Sequence, residues 1–159
     1  MKFKTFSMAL AACAVAFGAQ SAAAENVKIT PLGLVNGEFC KFDRALVFED
    51  PNGTRILYDA GRTVAGPDDP RLGKIDVLLV SHMHGYHVGD RHQPKPGAGT
   101  CGKPDISVKA VPNTNTVNIA MKKLATIVVG SEMRKFFQSK LKALGGDPKK
   151  SQLVRFGSS

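Results

Sequence analysis

The sequence predicts a mixed α/β fold in which helices pack outside a sheet. Short β-rich segments come first, and strands alternate with helices from about residue 75 onward. Residues 75–80 are almost continuously apolar, as in a strand that is covered on both faces. A helical apolar stripe follows, formed by Val117, Ala120, Met121 and Leu124. With 159 residues, 43% of them hydrophobic, the chain has the size of one domain with its own core.

The first 24 residues have the composition of a secretory signal peptide. Lys2 and Lys4 form a basic start, residues 6–17 are mostly apolar, and residues 22–24 are a small-residue cleavage site. We expect residues 1–24 to be cleaved and residues 25–159 to be periplasmic or secreted. The apolar segment is too short for a membrane span, so no stable membrane insertion is expected after cleavage. Lipidation at Cys13, which follows Leu-Ala-Ala, is the alternative.

The strands before the apolar run are predicted from alternation and turn residues. Residues 27–30 alternate apolar and polar side chains, as a half-buried strand does. Residues 45–48 and 55–58 are β-rich, and Pro51-Asn52-Gly53 between them predicts a hairpin turn. Residues 62–73, rich in proline and glycine, are predicted to form a loop.

Loops, strands and helices alternate after the apolar run. Residues 91–104 are predicted to form a loop, residues 106–110 a strand and residues 127–129 a buried strand. Ser131 is the predicted N-cap of a second helix that ends at Gly145. Its apolar stripe consists of Met133, Phe136, Phe137, Leu141 and Leu144. A last strand is predicted over residues 153–156.

The charge is strongly basic, with a formal net charge of +9, or +7 once Lys2 and Lys4 leave with the signal peptide. The lysines of the second half are scattered, which is typical of solvated helix faces. Aromatic residues make up only 7% of the chain and do not alternate with these lysines, so we expect no nucleic-acid groove. A basic surface that binds lipid or a polyanion remains an alternative.

Two cysteines, Cys40 and Cys101, remain after the predicted cleavage. An even pair in an oxidising compartment predicts one disulfide, and two separate thiols are the alternative.

All four histidines lie within eleven residues, and three of them directly follow the apolar run. His82 and His84 are two residues apart and share one face of an extended chain, while Gly85 allows His87 to turn back toward them. Imidazole is a good zinc ligand, so the pattern predicts a metal site; a metal-free surface cluster is the alternative. For His92 we favour a surface role over that of a substitute ligand.

The run Ser-His-x-His-x-x-His-x-Gly-Asp at residues 81–90 resembles the metallo-β-lactamase-fold hydrolases, whose motif is His-x-His-x-Asp-His. Leu-Tyr-Asp-Ala-Gly at residues 57–61 is similar to the family's earlier Asp-x-Gly motif. The resemblance covers residues 26–157 and is closest to the lactonase-like, general metal-dependent branch. It implies that residues 25–159 form a partial domain, the N-terminal half of an αββα metallo-β-lactamase sandwich.

The resemblance also implies roles for individual residues. His82 and His84 would hold a first Zn²⁺ ion, and His87 would join a second. Asp59 and Asp90 would support these ligands through hydrogen bonds. Without the resemblance, Asp59 would be a turn residue and Asp90 a helix-start carboxylate. The family chemistry is hydrolysis by a metal-activated water, with one or two zinc ions.

The sequence departs from the family pattern at Tyr86, which replaces the motif Asp at the catalytic position. A phenol with a pKa near 10 is a poor substitute for a carboxylate, so we expect the second metal site to be impaired and at most one zinc to bind weakly. Phenolate ligation by Tyr86 is the alternative. No histidine follows His92, and neither Asp105 nor Asp147 matches a family position.

These features predict an exported zinc-dependent hydrolase of ester, lactone or phosphoester bonds, present as a truncated chain with reduced or absent activity. The alternative is a non-catalytic periplasmic metal-binding or interaction module. The pattern does not identify the small-molecule substrate. Because a half-fold would expose apolar sheet, we also expect self-association.

Overall fold

A computed structural model describes residues 26–35, 38–41, 43–149 and 153–155 of the chain. The predicted signal peptide at residues 1–24, the alternative lipidation site Cys13, and Phe156 at the end of the last predicted strand lie outside the described residues.

The described residues form one six-stranded sheet, two small two-stranded sheets and three helices, which confirms the α/β class. The main sheet has the order β1-β4-β5-β6-β9-β10, and β2 pairs with β3 and β7 with β8. The strands are β1 (Lys28–Pro31), β2 (Leu34–Val35), β3 (Glu38–Phe39), β4 (Leu46–Glu49), β5 (Arg55–Tyr58), β6 (Val77–Leu79), β7 (Arg91–His92), β8 (Val108–Lys109), β9 (Thr126–Val129) and β10 (Leu153–Arg155). The helices are α1 (Gly85–Val88), α2 (Asn115–Lys123) and α3 (Arg134–Ala143), the last preceded by a 3-10 turn, Ser131–Met133.

The main sheet is antiparallel at one edge and parallel at the other. Strand β1 pairs with β4, and β4 with β5, in antiparallel register. Strands β5, β6, β9 and β10 run parallel to one another. The predicted hairpin between β4 and β5 is confirmed, and Gly53 takes the positive φ of 83° that its turn needs.

Strand β6 is shorter than predicted and is fully covered on only one face. Leu78 is buried, but its neighbours Val77 and Leu79 are only partly buried. The expectation of cover on both faces is therefore wrong for this strand. The reason is that α2 and α3 pack on a single side of the sheet, where their apolar side chains join those of the strands.

Helix α2 begins at the capping residue Thr114, whose side chain accepts a hydrogen bond from the backbone N–H of Val117 at 3.2 Å. Val117 and Ala120 are buried as predicted. Leu124 does not belong to the apolar stripe, because it ends the helix in a left-handed conformation (φ 56°) and is 82% exposed. The helix therefore stops one residue before the predicted stripe is complete.

Helix α3 is led in by the 3-10 turn, so Ser131 is not its N-cap; that position belongs to Met133. Met133, Phe137 and Leu141 are buried against the sheet, while Leu144 lies beyond the helix end and is 45% exposed. Gly145, with a positive φ of 78°, follows the helix as predicted.

The loops around the sheet contain more structure than the sequence suggested. Residues 62–73 form no helix or strand, as predicted. The predicted loop at 91–104 begins with β7, which pairs with the short strand β8 outside the main sheet. The sulfurs of Cys40 and Cys101 are bonded at 2.04 Å and join the end of the β2–β3 hairpin to this loop. Within the described ranges, no helix is long and apolar enough to span a membrane.

Candidate metal centre at the end of β6

The histidine run begins where β6 ends, at the carboxyl edge of the parallel strands. Val80 still donates its N–H to the carbonyl of Val128 at 3.0 Å, which holds the start of the run against the sheet. His84 is extended (φ −64°, ψ 144°), and its carbonyl accepts the N–H groups of His87 and Val88 at 2.8 and 3.1 Å. The turn of α1 therefore brings His87 back toward His82.

The structure places the three predicted histidines in one cluster. Nε2 of His82 and Nδ1 of His84 are 2.6 Å apart, a hydrogen-bond distance. The ring centroids of His82 and His87 are separated by 3.8 Å, and those of His82 and His84 by 4.6 Å. The rings of the three histidines thus lie together at the sheet edge.

Asp59 fixes His87 from below the cluster. Its carboxylate is fully buried and accepts hydrogen bonds from Nδ1 of His87 at 2.5 Å and from the backbone N–H and Oγ of Ser81 at 2.8 and 2.7 Å. A carboxylate accepts but does not donate, so Nδ1 of His87 is the donor in this bond, and in the neutral ring Nε2 is then the nitrogen with the lone pair. Asp59 also has a positive φ of 47°, so it is a turn residue as well as a supporting one.

Tyr86 borders the cluster on its exposed side. Its ring stacks on His84, with centroids 5.5 Å apart and planes 16° apart, and its hydroxyl is 3.4 Å from Nδ1 of His84. The guanidinium of Arg62 lies 5.7 Å from the centroid of the Tyr86 ring, within cation–π range. Tyr86 is therefore a stacking partner of His84.

The surroundings of His82 favour its neutral imidazole form. Partial desolvation lowers the pKa of His82, and repulsion from the neighbouring His87 and His84 lowers it further, although Asp59 opposes this. A neutral imidazole keeps one nitrogen lone pair, which is the form that binds a metal.

Asp90 and His92 make contacts other than those that join the three clustered histidines. Asp90 follows α1 and is not at the start of a helix; its carboxylate lies against Gly85, where a Cβ atom would approach Oδ2 to 2.9 Å. It lines a cavity of about 240 Å³ with Arg62, Gly85, Arg91 and Val111. His92 is only 7% exposed, so a surface role for it is wrong: its ring lies against Gly66 and its Nδ1 bonds the carbonyl of Gln93 at 2.8 Å.

Ser81 and Arg62 were not among the predicted site residues. The Oγ of Ser81 contacts Asp59, His82 and His87, at 3.3 and 3.0 Å from Nδ1 of the two histidines. Arg62 reaches Tyr86 from the loop after β5. Ser81 stands inside the histidine run, which is the only local signal for its role; nothing in the sequence indicates that Arg62 faces Tyr86.

The donor set suits zinc in type but not in number. Among the residues that the structure describes, no group of three or more His, Cys, Asp or Glu side chains is arranged to hold a metal ion. Two ligands on a tetrahedral zinc, with zinc–nitrogen bonds of about 2.0–2.1 Å, lie roughly 3.3 Å apart. The 2.6 Å pair of His82 and His84 would therefore have to open to admit an ion. The described residues do not form a complete zinc site.

Comparison with models of known protein families gives no match, and comparison with curated proteins gives none either.

Proposed function

We propose that this chain is an exported, zinc-dependent hydrolase-type domain related to the metallo-β-lactamase-fold enzymes, with its metal-binding edge at the end of β6. His82, His84 and His87 are the proposed donors of a single, weakly held zinc ion. The bonds it would hydrolyse are of the ester, lactone or phosphoester class.

The observation that carries the proposal is the hydrogen bond from Nδ1 of His87 to the buried carboxylate of Asp59. Histidines that bind metals commonly donate their second ring N–H to a carboxylate, which fixes the tautomer and aims the other nitrogen. Asp59 is buried in a left-handed turn, a conformation that costs free energy and is frequent at functional sites.

The residues of the chain have separate tasks in this proposal. Asp59 and Ser81 orient His87, and His82 and His84 present converging nitrogens. When bound, a zinc ion would act as a Lewis acid and lower the pKa of a water molecule. Tyr86 supplies no carboxylate for a second ion, so activity is expected to be low.

The second candidate is a non-catalytic metal-binding or interaction module. It is favoured because no three donors among the described side chains are arranged to hold a metal ion, whereas a catalytic zinc usually has three protein ligands and a water molecule. The two candidates share a metal site and differ in hydrolysis.

Zinc binding tests what both candidates share. After dialysis against zinc, we expect at most one ion per chain by elemental analysis, and loss of that ion in His82→Ala and His84→Ala. His92→Asn is the control, since its ring lies outside the cluster. Equal zinc content in all four proteins would contradict the assignment of His82 and His84.

Asp59→Asn tests whether His87 belongs to the site. We expect zinc affinity, measured by calorimetric titration, to fall about 10- to 100-fold, as is typical when a supporting carboxylate is lost. The ¹⁵N shifts of the His87 ring should at the same time show a changed tautomer. An altered tautomer with unchanged zinc affinity would place His87 outside the metal site.

Tyr86→Asp separates the two candidates. If the chain is an impaired hydrolase, the restored carboxylate is expected to raise zinc content and the hydrolysis of a generic lactone or phosphodiester, while Tyr86→Phe does neither. Raised zinc content without hydrolysis would favour the binding module. If neither property changes, our account of Tyr86 is wrong.

A further inference from the structure

Within the described residues, helices cover one face of the main sheet and none lies on the other. Side chains alternate between the faces, and Val47, Leu57, Leu78 and Ile127 are buried on the helix side. We call the opposite side the open face. Its residues, identified by strand register, are Ile29, Pro31, Leu46, Phe48, Ile56, Tyr58, Val77, Leu79, Thr126, Val128 and Val154.

The open face is apolar, continuous and partly exposed. It crosses all six strands and holds no charged side chain at the paired positions of the described strands; Thr126 and the hydroxyl of Tyr58 are its polar groups. Ile29 at one edge is 56% exposed and Val154 at the other is 45% exposed. Parallel strands are normally covered on both faces, and an exposed apolar surface of this kind marks an interface.

We propose that the open face is covered by the open face of a second copy of this chain, sheet against sheet. The distribution of charge selects this partner. The chain carries a net charge of +9, and lysines of α2 and α3, such as Lys122, Lys123, Lys135 and Lys142, lie on the opposite side of the sheet. Two strongly basic copies can meet at an uncharged face without bringing like charges close together.

The geometry of such a pair keeps the basic helices far apart. Two packed sheets lie about 10 Å apart, and a helix is about 10 Å thick, so the two helix layers would be roughly 30 Å from each other. That distance is well beyond the Debye length of about 8 Å at physiological salt. A membrane bound to the open face would instead place the lysines away from the anionic headgroups that attract them.

The size of the face sets the expected strength. Five strand spacings of about 4.8 Å and four residues of about 3.3 Å give a projected area of roughly 300 Å². This is less than the roughly 800 Å² that each partner buries in a standard interface. We therefore expect a dimer that dissociates on dilution.

Sedimentation of the 159-residue chain over a range of concentrations tests the proposal. We expect reversible dimers in the unmodified chain and at least tenfold weaker association in Phe48→Lys and in Val128→Lys. Leu144→Lys is the matched control, because it places the same charge on an exposed apolar residue away from the open face, and it should associate like the unmodified chain. Dimers that persist in both face variants, for example through residues 1–25, would overturn the proposal.

Two measurements on the unmodified chain keep the test independent of how the variants fold. Raising salt from 50 to 500 mM should leave dimerisation unchanged or strengthen it, because it screens repulsion between basic copies. A chain that stays monomeric up to about 1 mM, or that binds vesicles of neutral or anionic lipid through the open face while monomeric, would overturn the proposal.

Discussion

Buried carboxylates hold the loops around the histidine run in place. Asp43, Asp59 and Asp69 are each at most 2% exposed, and each accepts at least one backbone N–H group from a loop. Burial raises the pKa of Asp43, whose oxygens accept the N–H groups of Ala45 and Thr63 at 3.1 and 2.7 Å. In the sequence these residues look like surface or turn aspartates; only burial distinguishes them.

Asp69 is the clearest electrostatic anchor of the loop at residues 62–73. Burial alone would raise its pKa, but hydrogen bonds from the Arg71 side chain and from the backbone N–H groups of Ala65 and Arg71 outweigh burial and lower it. Arg71 also donates to the carbonyls of Leu32 and Thr63, so the pair ties the loop to the segment that follows β1.

Because the folded-state pKa of Asp69 lies below its unfolded value, its contribution to stability is present above the unfolded pKa, near 4. That contribution is lost as pH falls through the folded pKa. We predict that Asp69→Asn lowers the free energy of unfolding by about 1–3 kcal/mol at pH 7, as expected for losing hydrogen bonds to a buried charge. The difference from wild type should shrink as pH falls below 4 in urea titrations. Asp68→Asn, at an exposed neighbour, is the control; a difference constant from pH 7 to pH 2 would contradict the assignment.

At the scale of elements, the four-residue helix α1 decides where His87 lies. Gly89 ends it in a left-handed conformation (φ 73°), and its N–H bonds the carbonyl of Gly85 at 2.8 Å. A Cβ atom at Gly89 would come within 2.5 Å of the Cβ of Asn115 and 2.9 Å of the Gly61 carbonyl. Position 89 therefore needs glycine, both for its left-handed conformation and because a side chain has no room there.

We predict that Gly89→Ala destabilises the protein more than Gly53→Ala does. Both glycines have positive φ, but a Cβ atom at Gly53 would meet nothing within 4 Å. Gly53→Ala is the control and should lower the free energy of unfolding by about 1–2 kcal/mol for the left-handed conformation alone. Gly89→Ala should lower it by about 1–3 kcal/mol more because of overpacking. Urea unfolding measures both; equal costs would show that the space at Gly89 relaxes freely.

Elements were predictable where the local signal was strong. The β4–β5 hairpin was predictable from its β-rich residues and from the turn residues that include Gly53. Both signals are local, so no contact with a distant segment is needed to form the turn. The ends of α2 and α3 were not predictable, because Leu124 and Leu144 fit the apolar spacing yet lie where the helices have already ended. Helical spacing indicates which face of a helix is apolar, whereas the neighbouring strands decide how many turns of that face are buried.

At the scale of the whole molecule, the bond between Cys40 and Cys101 connects parts of the chain that are 61 residues apart. It links the β2–β3 hairpin to the loop that follows β7. Both cysteines line a small cavity together with Arg62 and Thr63. A crosslink over so long a segment limits the freedom of the unfolded chain.

Reduction of this bond is predicted to lower the free energy of unfolding by about 4 kcal/mol, the chain-entropy value for a closed loop of this length. Urea unfolding with and without a reductant measures it, and the double variant Cys40→Ser with Cys101→Ser should match the reduced protein. Unchanged stability on reduction, with both thiols shown free by mass spectrometry, would contradict the prediction.

The sequence by itself determined the α/β class, the hairpin, the position of the apolar run and the grouping of His82, His84 and His87, because these depend on residue type and short-range spacing. Only the tertiary structure decided that Asp59 and Ser81 hold His87, that His92 is buried, and that β6 is covered on one face. Those outcomes depend on which distant segments meet, as when Asp59 at the end of β5 reaches the loop after β6. Residues 22 and 28 positions apart become neighbours there because parallel strands end at the same edge of a sheet.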